Sequence, residues 1–130
     1  MLGRRRQGHN LAVARILVAD DAAFVRMWCR TTLARQGHEV LEATDGAAAV
    51  RLFRDERPDV VLLDILMPGA GGLAALNEIR AIDGTARVVM LTTEGHEDVE
   101  QEARGAGARG FLVKPATAGR LAEAVAAALG

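Results

Sequence analysis

Five polar side chains stand at the ends of apolar runs in this 130-residue chain, and their types suit the handling of a phosphoryl group. Asp20 and Asp21 follow Ile16-Leu17-Val18-Ala19, and Asp64 follows Val60-Val61-Leu62-Leu63. Thr92 closes Val88-Val89-Met90-Leu91, and Lys114 closes Phe111-Leu112-Val113. Three carboxylates packed close repel, and without a cation at least one takes up a proton. Oxygen-only ligands of this hardness suit magnesium, which keeps several waters and uses one or two carboxylates plus a phosphate. A carboxylate beside that ion, with an ammonium and a hydroxyl donor, can attack a phosphoryl group and hold it as an acyl phosphate. Lys114 is the single lysine against fifteen arginines. A compact, strongly hydrated ammonium differs from a planar guanidinium fork, so its presence here marks a position that needs the point charge.

These groups are far apart in sequence, so a fold must bring them together. Short apolar runs, the four above plus Val40-Leu41, alternate with helical stretches. Four of the five lack polar alternation, as strands covered on both faces do. Val25, Trp28, Cys29, Thr32 and Leu33 share one face of a helix over about 22 to 36, closed by Gly37. A second helix is predicted over about 46 to 54 with Pro58 at its exit, a third carries Leu73, Leu76, Ile79 and Arg80, and a last one Leu121, Val125 and Leu129. The fourth, about 97 to 105, offers only Val99, Ala103 and Ala106 to a core, so it is held least and expected to move. The pattern predicts an α/β, doubly wound, flavodoxin-like (βα)5 sandwich around a parallel five-stranded sheet. With strand order 2-1-3-4-5, the carboxyl ends of the inner strands share one edge, where ligands bind at the order reversal. The second run ends at Glu42-Ala43, with no comparable group, in keeping with an outer strand.

Half the residues are hydrophobic and the formal net charge is −1, which implies one compact domain with no electrostatic case for nucleic acid or an anionic membrane. No apolar run approaches the roughly 20 residues of a membrane span. Arg15 interrupts the early apolar stretch and Asp20-Asp21 follow it, against a secretory signal. The lone Cys29 excludes an internal disulfide and fits a reducing, cytoplasmic setting. Residues 1–13 read as a flexible basic N-terminal arm and 14–130 as the domain.

Four stretches, in this order and spacing, resemble the response-regulator receiver family, whose single-domain chemotaxis members are the nearest in pattern. They are Ile16 to Asp21, Leu62-Leu63-Asp64-Ile65-Leu66-Met67-Pro68-Gly69, Val89-Met90-Leu91-Thr92-Thr93 and Gly107 to Pro115. The resemblance implies that Asp64 is the phosphoacceptor. It further implies that Asp21, Asp64 and the Leu66 backbone carbonyl hold Mg2+, with Asp20 acting mainly through a water. Lys114 would pair with the phosphoryl group, Thr92 would bind one of its oxygens, and Phe111 would turn inward as Thr92 shifts, repacking the fourth helix and fifth strand. Such a protein is a signalling phosphoacceptor rather than a turnover enzyme, catalysing only its own phosphorylation and dephosphorylation. Its partners would be a histidine kinase or histidine phosphotransfer protein and a downstream target on the face of the fourth helix, fifth strand and fifth helix, the chain itself being a monomer or weak dimer. Three positions depart from the chemotaxis pattern. Leu66 replaces an amide that could orient an attacking water, a task Glu94 is placed to take; Gly71 replaces an acidic or hydroxyl residue; Phe111 replaces tyrosine.

The same residues admit other readings. A haloacid-dehalogenase-type phosphohydrolase also uses aspartate, threonine, lysine and magnesium, but it has Asp-x-Asp after the first strand and needs room for a cap. An interaction module of the same fold that is never phosphorylated would be expected to lack some of the five groups. With no output domain after Gly130, a stand-alone regulator is the expectation and an excised receiver half the alternative. Taken singly, Asp20-Asp21 and Thr92 can cap helices, Phe111 and Cys29 can be core, and His38 and His96 fit exposed turns.

Overall fold

The computed structural model describes residues 6–7, 11–93 and 97–130. Five strands alternate with five helices: β1 Arg15–Ala19, α1 Ala23–Ala34, β2 Glu39–Ala43, α2 Gly46–Glu56, β3 Val60–Asp64, α3 Gly71–Ile82, β4 Val88–Thr92, α4 Glu97–Gly105, β5 Gly110–Val113 and α5 Ala118–Leu129. All four ladders are parallel and their order is β2-β1-β3-β4-β5, the doubly wound arrangement expected from the sequence. Most of the expected arm, residues 1–5 and 8–10, lies outside the described residues; Arg6–Gln7 pairs antiparallel with Leu11–Ala12.

Strand side chains alternate between faces, and each face has its own helices. Leu17, Ala19, Val61, Leu63, Val88 and Met90 pack on one side with Phe53 of α2, Leu76 and Ile79 of α3 and Ala103 of α4. Ile16, Val18, Val60, Leu62, Val89, Leu91 and Leu112 face the other way, against Cys29 and Leu33 of α1 and Leu121 and Val125 of α5. Every residue of β3 and β4 is buried, which is why these runs carry no polar alternation. A fully buried Leu62 alone is worth about 2–5 kcal/mol against alanine. Helix α4 buries one residue, Ala103, as its weak apolar face foretold.

Register brings the site to one rim. Ala19 lies opposite Leu63, Asp64 opposite Leu91 and Thr92 opposite Val113, so Asp20, Asp64, Thr92 and Lys114 all emerge at the carboxyl edge. Asp45 caps α2 by accepting from the Ala48 N–H at 2.8 Å, and Thr117 caps α5 through Arg120 N–H at 3.1 Å. At α1 the N-cap position is Ala22, which has no side chain to serve.

Candidate functional site

At the end of β1, Asp20 is fully buried and both its oxygens are engaged. Oδ1 accepts from the Ala22 N–H at 2.9 Å and Oδ2 from Lys114 Nζ at 2.8 Å. Asp21, the next residue, is exposed. At the end of β3, Asp64 is 4% exposed, and its Oδ1 receives both the Leu66 N–H at 3.2 Å and Lys114 Nζ at 3.3 Å. Among the described residues no donor is assigned to its Oδ2, so that oxygen is the one open to a reactant.

Electrostatics follow from this packing. Burial, reinforced by the charge of Asp20, pushes the Asp64 carboxyl up to about 6, against the opposing pull of Lys114 and the Leu66 N–H. Burial pulls the Lys114 ammonium down, but its hydrogen bond to Asp20 and the nearby charges of Asp64 and Asp20 outweigh this and hold it above its ordinary value. Lys114 is therefore a cation at neutral pH. Ligand oxygens of Asp20, Asp21 and Asp64 lie within 4.8 Å of one another. Three clustered carboxylates, two of them in contact with the Lys114 ammonium, offer only oxygen donors, a set that fits a small hard divalent cation better than a soft one.

Thr92 is buried at the end of β4, its hydroxyl donating to the Thr93 carbonyl at 3.0 Å, while its own carbonyl accepts from the Lys114 N–H at 2.6 Å. The backbone thus ties the hydroxyl-bearing and ammonium-bearing positions together. The Lys114–Pro115 peptide is cis. Phe111 on β5 is half-buried, and the Arg104 guanidinium of α4 sits 4.4 Å from its ring centroid. The Leu66 side chain is 59% exposed. Glu94 and His96 lie outside the described residues. His38, expected at the surface, is half-buried instead, because its Nδ1 accepts from the Ala14 N–H at 3.1 Å across the start of β1.

Two features escaped the sequence reading. Gly72 lets the start of α3 lie directly on the end of β3: a Cβ there would overlap the Asp64 carbonyl oxygen and stand 2.8 Å from Ile65 Cα. Its N–H donates to Ile65 O at 2.9 Å, anchoring the loop that follows Asp64. A glycine beside other glycines carries no signal of such a close approach. Arg26 reaches back from α1 to the Asp20 carbonyl at 2.8 Å and pairs with Glu42 at 3.0 Å; one arginine among fifteen is equally silent in sequence.

The comparisons with known proteins agree with this geometry. Residues 16–126 match the family model described as the response regulator receiver domain. The chain is 45% identical over 112 residues to the chemotaxis protein CheY of Bacillus subtilis, covering 85% of this chain and 93% of that protein. It superposes on the chemotaxis protein CheY4 of Vibrio cholerae with a TM-score of 0.83 at 32% identity, covering 88% of this chain and 98% of the other. It also superposes on NtrX of Brucella abortus with a TM-score of 0.86 at 35% identity, covering 90% of this chain but only 27% of that longer protein. The chain therefore belongs to the response regulator receiver domain family and is a phosphoacceptor of two-component signal transduction.

Proposed function

We propose that Asp64 is the phosphoacceptor and that Asp20, Asp21, Lys114 and Thr92 serve the transfer around it. The observation that carries this reading is Lys114 Nζ, which spans Asp20 at 2.8 Å and Asp64 at 3.3 Å beside the open acceptor oxygen. In the transfer, Asp64 Oδ2 forms a bond to phosphorus while the donor's leaving group departs with its bonding electrons, giving an aspartyl phosphate. Lys114 holds the acceptor in place beforehand and faces the charge of the phosphoryl oxygens afterwards. Asp21, Asp64 and the Leu66 carbonyl would hold Mg2+, with Asp20 acting through water. When bound, the ion would supply neutralisation of phosphoryl charge and offset the burial and the Asp20 charge that together raise the Asp64 carboxyl.

The new phosphate gives the Thr92 hydroxyl a stronger acceptor than the Thr93 carbonyl it now uses. As that hydroxyl moves, the half-buried Phe111 gains space to turn inward, and the lightly held α4 repacks against β5. The switched surface is α4, β5 and α5, offered to a downstream target. A histidine kinase or histidine phosphotransfer protein supplies the phosphoryl group, and the chain catalyses only its own gain and loss of it. Leu66 has no polar group to orient a hydrolytic water, so its side chain takes no part in dephosphorylation. Among the described residues no helix is long and apolar enough to cross a membrane, and the one cysteine, Cys29, is a buried free thiol, which fits a reducing compartment. The test is intact-mass measurement after incubation with acetyl phosphate and magnesium. One added phosphoryl group is expected, none with chelator and none in Asp64→Asn; labelling that survives either change would refute the assignment. Continuous release of phosphate from added phosphomonoesters would instead favour a phosphohydrolase.

A further inference from the structure

We infer that Arg26, braced by Glu42, is a positioning residue for the divalent-cation site, fixing the turn that aims Asp21. This rests on the reading of Asp20, Asp21 and Asp64 as the cation site. Asp21 is exposed, and no hydrogen bond to its carboxylate is found among the described residues, so its direction is set by backbone alone. That backbone is the β1–α1 turn, and the helix it enters has alanine where a capping side chain would stand. Besides the Arg26 N–H to Ala22 carbonyl bond at 3.1 Å that opens the helix and the Lys114 contact to Asp20 Oδ2, three bonds hold the turn. Asp20 N–H donates to Ala43 O at 3.1 Å, Asp20 Oδ1 accepts from Ala22 N–H at 2.9 Å, and an Arg26 guanidinium N–H donates to the Asp20 carbonyl at 2.8 Å.

Only the third of these comes from a long side chain, and it is not left loose. Arg26 Nε is 3.0 Å from Glu42 Oε1, with Arg26 16% and Glu42 29% exposed, while Arg30 Nε takes the other oxygen at 2.6 Å. The hydrogen bonds of Arg30 and Arg26 hold the Glu42 carboxyl below its ordinary range, so it stays a firm anchor. The chain Arg30–Glu42–Arg26–Asp20 carbonyl thus runs from strand β2 to the turn. Groups one step behind metal ligands orient them, and their loss weakens metal binding by roughly 10- to 100-fold.

Charge and position make opposite demands here, which gives a clean test. A cation beside a cation site disfavours metal, so by charge alone Arg26→Gln would bind magnesium more tightly. By positioning it binds more weakly. Titration of the intact chain with Mg2+, followed by the fluorescence of Trp28 and separately with Mn2+ by electron paramagnetic resonance, should show about tenfold weaker binding for Arg26→Gln. Adding Glu42→Ala to that variant should change little further, because the two act in series. Thermal unfolding in chelator separates this from general destabilisation, which would lower the melting point and leave the affinity unmoved. Equal or tighter binding by Arg26→Gln, or multiplicative losses in the double variant, would overturn the inference. If Arg26→Gln fails to fold, Arg26→Lys keeps the charge and loses the fork; unchanged affinity there would overturn it as well. Failure of the unaltered chain to bind either ion would instead refute the cation site itself.

Discussion

Asp64 sits where a carboxylate is least at ease, buried beside another carboxylate, and this has a measurable consequence for stability. Burial, then the charge of Asp20, pushes its carboxyl up to about 6 in the folded chain from an ordinary value of 3.8. Below both values it is protonated folded or unfolded and makes no difference. Between them the unfolded chain has released its proton while the folded one retains it, so stability falls as pH rises and the loss is complete above the folded value. The difference corresponds to about 3 kcal/mol from this one group. Urea unfolding in chelator should therefore find Asp64→Asn more stable than the unaltered chain at pH 8, with the gap largely closed at pH 4. A gap that does not change with pH would contradict the buried-repulsion picture. Added magnesium should narrow the gap at pH 8.

Among the elements, the packing of α3 on β3 is the least forgiving. Gly72 touches the Asp64 carbonyl with no room for a methyl group, and the obstructing atoms are backbone. Alanine favours a helix by up to about 1 kcal/mol over glycine, so propensity alone would make Gly72→Ala stabilising. Overlap with the end of β3 should reverse that sign, lowering stability by about 1–3 kcal/mol and, on the proposed reading, slowing phosphorylation as the loop after Asp64 shifts. Thermal melts and acetyl phosphate labelling check both; a more stable variant with full labelling would show that α3 can move away freely. Strands and helices were legible in the sequence because buried runs such as Val60 to Leu63 and helical stripes such as Leu121 and Val125 write burial directly into residue type. The site was legible because aspartates, a threonine and a single lysine punctuate those runs at their ends. Gly72, Arg26 and the brace from Glu42 were not, since their roles depend on tertiary distance between residues of common type. His38 misled for the same reason: a turn after glycine looks exposed until its partner, the Ala14 N–H, is known.

At the scale of the whole molecule, two cores on opposite faces of one sheet make a rigid frame whose carboxyl edge carries the charges. The element packed least, α4, lies beside Phe111 on the side away from α1 and α5, so it is the one that can repack without disturbing the frame. All of this requires that the phosphoryl group land on Asp64 and nowhere else among three neighbouring carboxylates. Borohydride reduction after incubation with acetyl phosphate and magnesium converts a phosphorylated aspartate to homoserine, which peptide mass spectrometry can place. Homoserine at position 64 alone is the expected result; homoserine at Asp20 or Asp21, or at none of the three in a folded and labelled protein, would contradict it.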